Sequence, residues 1–193
     1  MLAVTTRLGF VNQAVLTVGR AIGMAAVVAM VIAILIQVFF RHVLNNALPW
    51  PDEAARFCML WMTGLMAPEA FRRGGFVAID MVPRLLSALL GNLLNLFLLL
   101  LSLIVLVVAI QIGWAEVTGF GGRFATAALY VPISLDFDVW YRVPRSWMMM
   151  SIFVGGVLLA SVNIELILRA IVSLLGGGDC LPEIVDAPAG EAE

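Results

Sequence analysis

The sequence predicts an all-α integral membrane protein: four transmembrane helices preceded by a short in-plane amphipathic N-terminal helix. Three observations carry this. Of the 193 residues, 63% are hydrophobic, and the mean hydropathy is +1.06. Average soluble chains are nearer half apolar, so a domain this small has no interior large enough to hide such a surface. The apolar residues fall in long runs near 21–40, 54–71, 85–112 and 147–168, each able to cross a hydrocarbon core of roughly 30 Å. The charged residues, 12% of the chain, gather at the ends of those runs. Residues 1–175 thus form one membrane domain, and 176–193 a Gly-, Pro- and acid-rich tail expected to be disordered.

Residues 1–20 carry Arg7 and Arg20, and Leu8, Val11, Val15 and Val18 recur near helical spacing. This reads as a helix lying at the inner surface. A cleavable signal peptide fits less well, because the apolar run that follows is too long. The first span is interrupted by Gln37 alone. Its Gly19, Gly23, Ala26, Met30, Ala33 and Gln37 share one face, where small residues let another helix approach closely.

The second span opens with Pro51, which suits a first helical turn because its missing N–H costs nothing there. Asp52 and Glu53 complement the positive end of the helix dipole. Arg56 follows four residues after Asp52 and three after Glu53, so these side chains can meet on one surface, with Arg41 within reach. Trp50 has the amphipathic ring that favours the headgroup level. Pro68 removes one backbone hydrogen bond and predicts a bend near the far end. Glu69, beside it, is expected to pair with Arg72 or Arg73. The turn holding Arg72, Arg73, Gly74, Gly75, Asp80 and Arg84 is rich in arginine and favours a cytoplasmic position.

The third span exceeds what a bilayer requires and is expected to tilt or project. Asn95 and Ser102 lie on a small, polar face that can hydrogen-bond across a helix interface. Residues 115–146 form a long aromatic connection whose charges cancel, expected in the outer headgroup region or against a partner. In the fourth span Gly156, Ala160 and Asn163 share a face, and Glu165 lies one turn before Arg169, which predicts an interfacial ion pair.

Composition also excludes. The net charge of -2 and the lack of a basic cluster argue against nucleic acid. The single histidine, His42, excludes paired-histidine haem ligation and leaves no catalytic triad. Cys58 and Cys180 are expected far apart and unbridged, and no zinc-type spacing occurs, so no cofactor is expected.

The run Arg41-x-x-x-Asn45, Pro49-Trp50-x-Asp52-Glu53-x-x-Arg56-x-x-x-x-Trp61, then Arg72-x-Gly74-Gly75-x-x-x-Ile79-Asp80, resembles the small, DctQ-like membrane subunit of the tripartite ATP-independent periplasmic (TRAP) transporters. Phe76 stands where that family usually has histidine, and Pro68-Glu69 where it is usually small and apolar. The resemblance implies a bacterial inner-membrane protein with both termini cytoplasmic. It implies two partners: a large membrane subunit carrying the sodium and substrate sites, and a periplasmic binding protein delivering an organic acid. It marks Arg41, Trp50, Asp52, Glu53, Arg56 and Trp61 as a subunit-interface or structural cluster. It marks Arg72, Arg73, Gly74, Gly75 and Asp80 as an inner-loop motif. The competing reading is a self-sufficient small transporter acting as a homodimer. Such a carrier needs polar groups at mid-membrane depth, whereas the charges here lie at helix ends.

Overall fold

The computed structural model describes residues 2–46, 48–74, 88–132 and 140–174. The elements are α1 (Leu2–His42), α2 (Trp50–Arg72), α3 (Ala88–Thr118), the short α4 (Phe120–Arg123), β1 (Ala125–Pro132), β2 (Trp140–Pro144) and α5 (Ser146–Leu174). Three described helices are long and apolar enough to cross a membrane: Thr5–His42, Leu90–Thr118 and Ser146–Leu174. Helix α2, with Asp52, Glu53, Arg56, Glu69 and Arg72 in its sequence, is not one of them by that measure.

Helix α1 runs 41 residues without a break. Residues 2–20 are therefore continuous with the first span and do not form a separate element. At about 1.5 Å per residue the helix is about 60 Å long, twice a hydrocarbon core. Its buried positions are Thr5, Gly9, Asn12, Leu16, Gly19, Gly23 and Ala33, and half-buried Ala26, Met30 and Gln37 continue the same spacing of three or four. That spacing is the seam of a left-handed helix pair, and it is filled by α2, which runs antiparallel. Leu65 lies against Gly19, and a Cβ on Gly23 would sit 2.6 Å from Cγ of Met66. The chain turns between the two helices at Asn45, whose φ of 48° is tolerated by asparagine better than by most residues.

Helix α2 starts as its sequence dictates, with Pro51 in the first turn and Asp52 and Glu53 after it. It continues as one helix through Pro68, which is buried. Gly74, with a φ of 72°, takes the chain out of the last turn.

The helices pack in the order α1, α2, α5, α3, with α2 held between α1 and α5. The α2–α5 crossing brings two backbones into contact. A Cβ on Gly64 would lie 2.5 Å from the Ser151 carbonyl oxygen, and one on Gly155 would lie 2.8 Å from Cα of Gly64. Helices α5 and α3 meet through Gly113 against Phe153 and Gly156 against Ile110. Asn163 Nδ2 donates to the Leu99 carbonyl at 3.1 Å, so the face of α5 that holds Gly156 and Asn163 is turned to α3. Asn95 is exposed, and neither it nor Ser102 makes a side-chain hydrogen bond with the described residues.

The connection read as an irregular loop contains ordered elements. Helix α3 extends to Thr118, α4 follows, and β1 pairs antiparallel with β2. Tyr130 faces Arg142, Val131 faces Tyr141, and Pro132 faces Trp140; the register breaks between Ala125 and Tyr130. The Arg145 N–H donates to the Phe124 carbonyl at 2.9 Å and closes the base. The expected tail (176–193) and the residues Gly75, Phe76, Asp80 and Arg84 lie outside the described residues.

Candidate functional site

Polar groups collect at the two ends of α2. At its N-terminal end, Asp52 Oδ2 accepts a hydrogen bond from Gln37 Nε2 of α1 at 3.2 Å. Glu53 reaches the hairpin instead. Its Oε1 accepts from the Ala127 N–H at 2.7 Å and its Oε2 accepts from the Ala128 N–H. These amides sit where the β1–β2 register is irregular, so a carboxylate takes the place of a ladder carbonyl. Arg142 completes the anchor from the other strand, donating through Nη2 to the Ala127 carbonyl at 2.9 Å and through Nε to that of Thr126. The Thr126 hydroxyl donates to the Val143 carbonyl at 2.7 Å.

This corrects the expected acid–base cluster. Arg56 and Arg41 are exposed, and neither makes an ion pair with Asp52 or Glu53. The reason is energetic. An exposed pair one helical turn apart is worth only a few tenths of a kcal/mol, while backbone N–H groups left without an acceptor are costly. The carboxylate goes where it is needed most. Trp50 stands partly exposed at the rim of a cleft of about 960 Å³ lined by Pro49, Ala127, Ala128, Leu129 and Tyr130. Trp61 lies about three turns further along α2, its ring 6.3 Å from that of Phe57, and takes no part in the polar contacts.

At the C-terminal end of α2 two carboxylates each hold two arginines. Glu165 of α5 is fully buried. Arg72 of α2 grips it with Nη2 at 2.8 Å and Nε at 3.1 Å, and Arg169 Nη2 lies 3.1 Å away. Asn12 of α1 donates to Glu165 Oε2 at 2.8 Å. Arg72 Nη2 also donates to the Gly9 carbonyl at 3.1 Å, and the Ser161 hydroxyl donates to Asn12 Oδ1 at 2.7 Å. A Cβ on Gly9 would sit 3.0 Å from Glu165 Oε1, so glycine leaves the room that the carboxylate occupies. Glu69 forms the second group: its Oε1 accepts from Arg73 Nη2 at 2.6 Å and from Arg20 Nη1 at 3.2 Å.

The local pairs Glu165–Arg169 and Glu69–Arg73 are thus present. Arg72, assigned to Glu69 as an alternative partner, binds Glu165 across 93 residues of sequence instead. Asn12, Gly9 and Ser161 were missed. The signal for Gly9 and Asn12 was there: the spacing that joins Gly19 to Gly23 runs back through Leu16 to both. Gly74 is exposed at the turn. Chemically, the network locks three helices, because a charge in an apolar setting must be paired and fully hydrogen-bonded.

A family model described as tripartite ATP-independent periplasmic transporters, DctQ component, matches residues 30–173. No curated protein matches the chain. The family match covers most of the chain and takes in α2, α3, the hairpin and α5, with all the acidic residues of both polar clusters. The chain belongs to the DctQ component family of the tripartite ATP-independent periplasmic transporters, and is the small membrane component of a transporter of that kind.

Proposed function

We propose that this subunit is the fixed scaffold of its transporter. It pairs with the large membrane subunit, which performs sodium-coupled uptake of an organic acid delivered by a periplasmic binding protein. In this reading α2 is a fourth span, the Arg72 end and both termini face the cytoplasm, and the membrane is the bacterial inner membrane. Helix α2 supports this by its place between two apolar helices. Its polar ends, Asp52 and Arg72, are 20 residues apart, about 30 Å along a helix, which matches the hydrocarbon thickness.

One observation carries the scaffold reading. Between the two polar clusters α2 meets its neighbours through glycines at close approach: Gly64 and Gly155 bring the α2 and α5 backbones into contact, and Gly19 and Gly23 of α1 receive Leu65 and Met66. A carrier of sodium and an organic anion needs oxygen ligands and anion-binding groups brought together at depth. Backbone-to-backbone packing there suits a rigid support. The test is reconstitution in vesicles with an inward sodium gradient. The chain alone shows no uptake, and adding the large subunit and the binding protein restores it. Saturable uptake by the isolated chain would overturn the scaffold reading in favour of a self-sufficient carrier.

A further inference from the structure

The carboxylates at the C-terminal end of α2 are outnumbered. Four guanidinium groups (Arg20, Arg72, Arg73 and Arg169) surround two carboxylates (Glu69 and Glu165), and at Glu69 the pair Arg20 and Arg73 shares one carboxylate, which leaves one positive charge in excess among these described residues. The halves differ in access. Around Glu165 the groups are closed in: its side chain is 0% exposed and that of Arg72 9%. Around Glu69 they are open: the Arg20 side chain is 38% exposed and that of Arg73 30%. Each of these two arginines spends a single N–H on Glu69, and both bonds fall on the same oxygen, Oε1. The two guanidinium forks therefore stand side by side, with most of their donors unspent on described residues.

From this geometry we infer a binding site for the phosphate of an anionic phospholipid, formed by Arg20 of α1 and Arg73 of α2. Uncompensated charge beside an apolar surface demands a counter-charge, and a pair of adjacent guanidinium groups matches phosphate oxygens. The source follows from position. The cluster lies about one hydrocarbon thickness from Asp52 along α2, at the depth of headgroups, and toward the Asp52 end of α1 the exposed Met24 and Val31, within about 40° of Arg20 around the helix, offer an apolar surface for an acyl chain. Basic pockets between membrane helices bind anionic headgroups by this chemistry. The inference rests on α1 and α2 both spanning the membrane, not on which substrate the transporter carries.

The experiment uses the full chain in nanodiscs of phosphatidylethanolamine alone or with phosphatidylglycerol, followed by detergent extraction and native mass spectrometry of retained lipid. Phosphatidylglycerol is retained in preference to phosphatidylethanolamine, and Arg20→Gln and Arg73→Gln each weaken retention about fivefold, as expected for one basic residue near an anionic surface. Arg20→Lys restores part of it, and a helical spectrum unchanged in pure phosphatidylethanolamine shows that the glutamine variants are folded. Equal retention of the two lipids, or retention unaffected in the doubly substituted chain, would overturn the site. Displacement of the lipid by millimolar inorganic phosphate would overturn the lipid as its source. None of these readouts depends on transport, so they separate this site from the scaffold assignment.

Discussion

Arg72 and Arg56 are both arginines of α2, and their surroundings make opposite predictions. Arg72 is closed in against Glu165, Asn12 and the Gly9 carbonyl. Truncation leaves a buried carboxylate short of its main partner, and breaking such a pair costs about 3–5 kcal/mol. Arg72→Ala is therefore expected to lower the thermal unfolding midpoint of the purified chain strongly. Arg56→Ala, at an exposed position with no ion pair to Asp52 or Glu53, is expected to stay within about 0.5 kcal/mol of the parent. Equal losses in the two variants would contradict the observed geometry. Sequence spacing found the contacts inside one helix, Glu69 with Arg73 and Glu165 with Arg169. It missed Arg72 with Glu165 because an i,i+4 rule is blind to partners in another helix. It placed Arg56 in a cluster because the rule shows what can meet, and not what competes for the carboxylate.

At the scale of elements, the long helices and their seams were readable, since apolar runs and small-residue spacing are local properties. The hairpin was not. Pairing β1 with β2 depends on a register between segments apart in sequence and on an acceptor, Glu53, brought from α2. Aromatic content marked that segment as one for an interface, but it holds no alternation that announces strands. The anchor makes a prediction: Glu53→Gln keeps one amide oxygen for two N–H donors. Amide exchange at Ala127 and Ala128 should quicken while that within α5 stays unchanged. Unaltered exchange at both alanines would mean the hairpin is held without Glu53. The α2–α5 crossing makes another. Gly64→Leu sets a side chain where the Ser151 carbonyl already lies. Overpacking of this kind typically costs about 1–3 kcal/mol, and cross-linking between cysteines placed on α2 and α5 should fall.

For the molecule as a whole, the decisive feature is that α1 touches α2 along one seam from Gly9 to Gln37. Both polar clusters draw a residue from that seam: Asn12 at one end and Gln37 at the other. The two ends of the protein are therefore tied in angular phase as well as in distance. Insert one alanine between Val27 and Val28, and everything beyond it rotates by about 100°. Asn12 and Gln37 can then no longer both reach their partners, Glu165 of α5 and Asp52 of α2, whichever half keeps its place. Seven inserted residues return the angle to within about 20° and instead lengthen the span between the clusters by about 10 Å. The single insertion should weaken the fold by breaking contact at one cluster. The heptad insertion should spare the contacts of both clusters but bulge the middle of α1 between Gly23 and Ala33, where the added turns have no place against α2. Helix α1 works as a keyed shaft: its length sets how far apart the two polar ends stand, and its pitch sets that both point the same way.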